Sequence, residues 1–173
     1  MKALHACAHH FLRTQPDPKN PTGTFITVNS GLGGVIVPGV SAYSISKLAG
    51  QRYIEYLHKG IHIDTSRRLS DLLTHVQEYP SLRAFTLYPG IVKTPLQAEA
   101  CEFNKYAHDN ADLTGWLCLY LCSPRADYLK GGLASINWDI EEMEAHKDKI
   151  VEHRLLDIKW VPILPASGGS GLQ

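Results

Sequence analysis

The sequence predicts an α/β fold in which helices cover both faces of a parallel sheet. Short runs of β-branched and aromatic residues alternate along the chain with segments whose apolar residues recur at helical spacing. Turns containing Pro and Gly separate the two kinds of segment. At 173 residues the chain fits one domain, and its 44% of apolar residues can fill a core, which excludes a disordered protein.

The helices are predicted from apolar residues that repeat every three to four positions. The first helix has Leu4, Cys7 and Phe11 on one side, and the second has a suitable N-cap in Ser41 and a suitable C-cap in Gly60. The leucines within residues 61–80 allow a short amphipathic helix as well. The main predicted helices are 2–14, 42–58, 110–122 and the charged segment 140–156.

Three short apolar runs are predicted as strands, and two of them end in residues that suit a turn. The runs are 24–28, 82–87 and 133–138. The first strand leads into Asn29 and Ser30, and the second leads into Pro89 and Gly90.

The composition excludes several kinds of partner. With 17 basic and 17 acidic residues the formal net charge is +0, so we expect no nucleic acid and no membrane among the partners. No apolar run approaches the ~20 residues of a transmembrane helix, and the first residues lack a signal-peptide pattern. Four cysteines show neither disulfide nor metal-ligand spacing, which predicts reduced thiols, no metal site and a cytoplasmic protein. We expect one domain over 1–158 and a flexible tail over 159–173.

A phenol and an ammonium lie four residues apart near the start of the second predicted helix. Tyr43 and Lys47 would share one helix face, and a neighbouring cation favours the phenolate form of a tyrosine. Such a phenol can exchange a proton with a carbonyl or alcohol oxygen, and Ser30 could bind the same oxygen. A Tyr and a Lys at this spacing also occur by chance in many helices, so the interpretation depends on the strand ends around them.

At these residues the chain resembles the short-chain dehydrogenase/reductase family. Residues 26–30 (I-T-V-N-S) resemble the strand that carries the family's serine, and residues 89–94 match its P-G-x-V-x-T loop. Tyr43, Ser46 and Lys47 match the tyrosine, serine and lysine of its active-site motif. The resemblance covers residues 2–138, and its motifs are specific when they occur together. The N-W-D sequence at residues 137–139 is like that of fungal members. It implies the C-terminal half of a Rossmann-like doubly wound parallel sheet, with three strands and flanking helices.

The resemblance also implies roles for individual residues. Tyr43 would be the acid or base, Ser30 would position the reacting oxygen, and Lys47 would bind the nicotinamide ribose. The catalytic residues would then be Ser30, Tyr43 and Lys47. The cofactor, NAD or NADP, would contact Tyr43, Lys47, Pro89, Gly90, Val92 and Thr94. The substrate would be a small-molecule carbonyl or alcohol.

The sequence departs from the family pattern in two places. It contains no strand, glycine-rich turn and helix of the kind that binds a cofactor pyrophosphate, since the glycines at 31–34 follow the serine strand. We therefore expect an N-terminally truncated domain that binds the cofactor at millimolar strength or not at all. Residues 60–77 have no counterpart in the family pattern, and they are either an additional surface helix or translated non-coding sequence.

These observations predict an NAD(P)-dependent oxidoreductase that acts on a carbonyl or secondary alcohol and is impaired by the missing pyrophosphate site. Two alternatives stay open. One is a redox-inactive remnant or partner protein, and the other is an isomerase, dehydratase or cyclase that uses Ser30, Tyr43 and Lys47 without nicotinamide. Strand 24–28 would have an open edge, and by resemblance helices 2–14 and 42–58 form dimers, so we expect a homo-oligomer.

Overall fold

The structure, a computed structural model, has a parallel three-stranded sheet at its centre. It describes residues 2–59, 79–94 and 104–159. The strands are β1 (Thr24–Val28), β2 (Arg83–Tyr88) and β3 (Leu133–Ser135), in the order β1-β2-β3. Val28 pairs with Leu87, and Leu87 pairs in turn with Ala134. The carboxyl ends of all three strands therefore lie along one edge of the sheet.

Helices flank this sheet and connect its strands. They are α1 (Lys2–Arg13), α2 (Ser41–Lys59), α3 (Ala111–Leu121), α4 (Ile140–Ala145) and α5 (Lys147–His153). Short 3₁₀ turns lie at Gly31–Gly33, Asn104–Tyr106 and Pro124–Leu129. Parallel strands need a crossover connection, and α2 lies between β1 and β2 along the chain, where such a connection is required.

The central strand β2 separates two apolar cores. Ala84 belongs to a core with residues of α1 and α2, such as Ala8 and Ile54. Phe85, the next residue along β2, belongs to a core with residues of α3, such as Leu121, and of the turn after it. Because successive strand residues point to opposite faces, helices cover both faces of the sheet. The predicted α/β fold with three strands and flanking helices is confirmed.

Most predicted elements begin and end within one or two residues of the observed ones. The helix that follows the first strand begins at Ser41 itself, so Ser41 is its first residue rather than the residue before it. Asn110, predicted as the first residue of a helix, is the N-cap of α3, because its side chain accepts a hydrogen bond from the Asp112 amide. The predicted helix within 61–80, the C-cap at Gly60, the segment 60–77 and all but the first residue of the tail lie outside the described residues.

Two predicted elements were wrong in extent. The third strand stops at Ser135 instead of continuing to 138, because the Trp138 amide donates to the Ser135 carbonyl at 3.2 Å and closes a turn. The single helix predicted over 140–156 is divided at His146, whose backbone angles (φ −107°, ψ 12°) leave the helical region. Ile150, in the helix after the break, is buried at 6% exposure. Neither a Pro nor a Gly marks it in the sequence.

Candidate functional site

Ser30 lies just beyond the carboxyl end of β1. Its extended backbone (φ −155°, ψ 142°) makes it the N-cap of the 3₁₀ turn, and its Oγ accepts a hydrogen bond from the Leu32 amide at 3.2 Å. Within the described part of the chain, this is the hydroxyl's one hydrogen bond. The hydroxyl proton is therefore available for an oxygen atom of another molecule.

The turn after Ser30 packs directly against the backbone of α2. A Cβ at Gly33 would lie 3.0 Å from the Leu48 nitrogen and 3.3 Å from the Lys47 carbonyl carbon. A side chain at this position would therefore crowd the helix backbone, and the turn would have to shift by a few tenths of an ångström. Glycine at position 33 brings the Ser30 turn into contact with the part of α2 that carries Lys47.

Asn29 joins the same two segments from inside the protein. Its side chain is 3% exposed, and its Nδ2 donates to the Lys47 carbonyl at 2.9 Å while its Oδ1 accepts from the Ser30 amide at 2.9 Å. Its own amide donates to the Leu87 carbonyl of β2 at 2.7 Å. Asn29 thus fixes the end of β1 relative to both the neighbouring strand and α2, which sequence reasoning missed.

Tyr43 and Lys47 lie together on α2, as their spacing predicts. The Lys47 Nζ lies 5.4 Å from the centroid of the Tyr43 ring, within the range of a cation–π contact, and donates to the Val28 carbonyl at 3.3 Å. The Tyr43 side chain is 41% exposed, and its hydroxyl has no hydrogen-bond partner among residues 2–59, 79–94 and 104–159. The phenol is therefore open to a ligand, and the ammonium is held beside it.

The Pro89–Thr94 loop follows β2 at the same edge of the sheet. Val28 pairs with Leu87, and Ser30 and Pro89 each lie two residues beyond this pair, on adjacent strands. Gly90 has a φ of +72°, a conformation that favours glycine. Val92 forms an isolated parallel bridge with Asp109, and Thr94 is exposed. The fold therefore places this loop beside the Ser30 turn, on the strand next to it.

A second buried contact ties the end of β2 to α2. The Tyr88 hydroxyl donates to Gln51 Oε1 at 2.7 Å, and Gln51 is 5% exposed. Burial raises the pKa of Tyr88 above its ordinary value, so this phenol stays protonated and acts as a donor. The contact holds the strand that carries Pro89 in a fixed position relative to the helix that carries Tyr43 and Lys47.

Together these contacts arrange acid–base groups around one edge of the sheet. A phenol, an ammonium and a hydroxyl with a free proton are the groups needed to bind a carbonyl oxygen and to move a proton to it. The residues that hold them in place, Asn29 and Gln51, carry no motif of their own. In the sequence, the one signal for a supporting role of Asn29 is its position directly before Ser30.

A metal site and a membrane-spanning helix each place requirements on the described residues. In these ranges no group of three His, Cys, Asp or Glu side chains is arranged to hold a metal ion. None of the described helices is long and apolar enough to cross a membrane. Cys7, Cys118 and Cys122 form no disulfide with one another, and Cys101 lies outside the described residues.

Several fungal proteins are similar to this chain in sequence. The chain is 28% identical over 139 residues to a protein of Claviceps purpurea described as a short chain dehydrogenase/reductase, a match that covers 80% of this chain. It is 32% identical over 133 residues to the short chain dehydrogenase andI of Emericella variicolor, covering 72% of this chain. The short chain dehydrogenase citE of Monascus ruber is 28% identical over 144 residues. No protein-family model matches the chain.

These matches cover only part of each relative. The chain spans 43% of the Claviceps protein and 39% of the Emericella protein. Among solved structures, a short chain dehydrogenase from Salmonella enterica serovar Typhi has a TM-score of 0.49 at 21% identity, with 68% of this chain and 42% of that chain covered. The sequence relatives bear out the resemblance to fungal short-chain dehydrogenases, and the chain corresponds to less than half of their length.

Proposed function

The chain is related in sequence to the short-chain dehydrogenases/reductases of fungi, and from that premise we propose that it is an NAD(P)-dependent oxidoreductase interconverting a carbonyl and a secondary alcohol. One observation carries the proposal: the phenol of Tyr43 and the ammonium of Lys47 are in contact, 5.4 Å from ring centroid to Nζ, beside the turn that carries Ser30. This set of groups suits proton exchange with an oxygen atom.

Each of the three side chains has a distinct role in this proposal. Ser30 donates a hydrogen bond from its free hydroxyl to the substrate oxygen and orients it, and it keeps its proton. Tyr43 donates a proton to that oxygen during reduction and accepts it during oxidation. Lys47 keeps a positive charge beside the phenol and thereby stabilises the phenolate left after proton donation. A nicotinamide ring held by these residues would supply the hydride during reduction and accept it during oxidation.

The described residues fit the nicotinamide end of such a cofactor. An ammonium has three donors, and across the described ranges the Lys47 Nζ uses one of them, toward the Val28 carbonyl. The remaining donors suit the hydroxyls of a ribose. Gly90 gives the loop after β2 a turn with a φ of +72°, a conformation that favours glycine. We assign the cofactor contacts to Tyr43, Lys47, Pro89, Gly90, Val92 and Thr94, with NAD and NADP equally compatible.

A pair of matched tyrosine variants tests the role of Tyr43. We expect Tyr43→Phe to lower the turnover of a ketone or alcohol panel with NAD(P)H or NAD(P)+ at least ~100-fold, because the phenol proton is lost. Tyr56→Phe is the control, since Tyr56 is another exposed tyrosine of α2 and lies outside the site. Turnover in Tyr43→Phe equal to that in Tyr56→Phe would contradict the assignment.

The same assay separates the alternatives. Turnover of a carbonyl substrate without any nicotinamide, still sensitive to Tyr43→Phe, would indicate an isomerase, dehydratase or cyclase. A full chain that shows neither turnover nor nicotinamide binding would indicate a redox-inactive partner protein. Both results would overturn the proposed oxidoreductase.

A further inference from the structure

A carboxylate outside the predicted site holds the loop that follows β2. The Ile91 amide donates to Asp109 Oδ2 at 2.6 Å, and the Asp109 amide donates to the Ile91 carbonyl at 3.2 Å. The next residue of the loop, Val92, pairs with Asp109 in an isolated parallel bridge. Asp109 therefore binds the loop through both its side chain and its backbone.

The second oxygen of the same carboxylate reaches a third segment. Asp109 Oδ1 accepts from Asn137 Nδ2 at 3.0 Å. Asn137 lies in the turn after β3, where its backbone N–H donates to Ser135 Oγ at 3.3 Å. One side chain thus connects the loop after β2, the residues before α3 and the turn after β3. Because both carboxylate oxygens are engaged, the position of Asp109 is fixed from two directions.

Gly90 fits against this carboxylate without a side chain of its own. A Cβ at Gly90 would lie 2.3 Å from Asp109 Oδ2 and 2.7 Å from Ile136 Cδ1, and the φ of +72° disfavours other residues as well. The contact between the loop and the Asp109 carboxylate therefore requires a residue without a side chain at position 90. The turn of the loop and its support form one unit.

We propose that Asp109, held by Asn137, is a positioning residue that fixes the Pro89–Thr94 loop for the nicotinamide cofactor. The inference rests on the proposed function for the identity of the ligand, whereas the support of the loop rests on the hydrogen bonds alone. Asp109 itself does not take part in the chemistry. It determines where the backbone of Gly90, Ile91 and Val92 lies at the carboxyl edge of the sheet.

Amide hydrogen exchange in the full chain without cofactor tests the support directly. In Asp109→Ala we expect exchange at the Ile91 amide to be about tenfold faster, because one hydrogen bond to a charged acceptor is lost. Asp109→Asn should stay within about threefold of the wild type, since its amide oxygen can still accept from Ile91 and an amide–amide bond to Asn137 replaces the other contact. Asp112→Ala, an exposed aspartate in the first turn of α3, is the control.

A second variant covers the case in which Asp109→Ala does not fold. Asn137→Ala removes one donor to the carboxylate and leaves the Ile91 bond in place, so it should also speed exchange at Ile91 relative to Asp112→Ala. Exchange equal to that of the control, in Asn137→Ala or in folded Asp109→Ala, overturns the proposal.

A kinetic measurement connects the support to the cofactor. We expect the KM for NAD(P)H to rise about tenfold in Asp109→Ala, more than kcat falls, and to return close to the wild-type value in Asp109→Asn. A cofactor KM that is unchanged in Asp109→Ala while Ile91 exchange is faster overturns the positioning role. A wild-type chain that fails to bind nicotinamide overturns the proposed function instead, and exchange at Ile91 still decides whether Asp109 holds the loop.

Discussion

The substitution Asn29→Ala tests how the site is assembled. Asn29 is 3% exposed and joins the end of β1 to α2 through two side-chain hydrogen bonds, one to the Lys47 carbonyl and one from the Ser30 amide, each 2.9 Å long. At about 1 kcal/mol of net stabilisation for each bond, their loss should lower the free energy of unfolding by about 2 kcal/mol. Removal of this side chain should also loosen the spacing between Ser30 and Lys47.

Urea unfolding followed by tryptophan fluorescence measures this effect, since the chain has three tryptophans. Asn20→Ala is the matched control, because Asn20 is an exposed asparagine outside the site, and we expect it to change the free energy of unfolding by less than about 0.5 kcal/mol. Asn29→Asp keeps an acceptor for Ser30 but places a carboxylate oxygen against the Lys47 carbonyl, so it should destabilise as well. If Asn29→Ala unfolds at the same urea concentration as Asn20→Ala, the buried asparagine does not hold the site together.

Two further predictions concern the periphery of the fold. Arg125 donates two hydrogen bonds to Glu144, at 3.0 and 2.8 Å, and holds the pKa of Glu144 below its ordinary value of 4.5. The stabilisation of the folded chain by this ion pair is therefore complete above pH 4.5 and is lost as the pH falls through the lowered pKa. Arg125→Gln should therefore lower the urea midpoint of unfolding at pH 7, and the difference from the wild type should disappear in acid. A lower midpoint that persists in acid would contradict the ion pair as its cause. Ile45, Leu48 and Tyr56 form an exposed apolar stripe on α2, so we expect sedimentation velocity to show a homo-oligomer that Ile45→Glu dissociates. A wild-type chain that sediments as a monomer would contradict this.

The sequence predicted those parts of the fold that depend on local periodicity. The helix over Lys2–Arg13 and the strand over Thr24–Val28 were placed almost to the residue, because an apolar repeat and the turns around it are local features. The shortened third strand and the break at His146 were not predicted. Both arise from hydrogen bonds and packing within the folded chain, and no Pro or Gly marks either position.

The candidate site was predicted in its reactive groups and missed in its supports. Tyr43 and Lys47 are four residues apart, so their contact follows from helix geometry alone. The supports at Asn29 and Asp109 depend on partners 18 residues away in each case, at Lys47 and Ile91. An isolated Asn or Asp in a sequence has no period or motif that would reveal such a partner, so only the folded structure identifies it.

On the proposed function, the edge of the sheet that carries Ser30, Tyr43 and Lys47 binds the nicotinamide end of a dinucleotide. Saturation-transfer NMR on the full chain, with nicotinamide mononucleotide as the ligand and AMP as the comparator, tests it even at millimolar affinity. We expect saturation of the nicotinamide and adjoining ribose protons, stronger than that of AMP and abolished in Lys47→Met. Absence of saturation on nicotinamide mononucleotide, or equal saturation in wild type and Lys47→Met, would contradict the account.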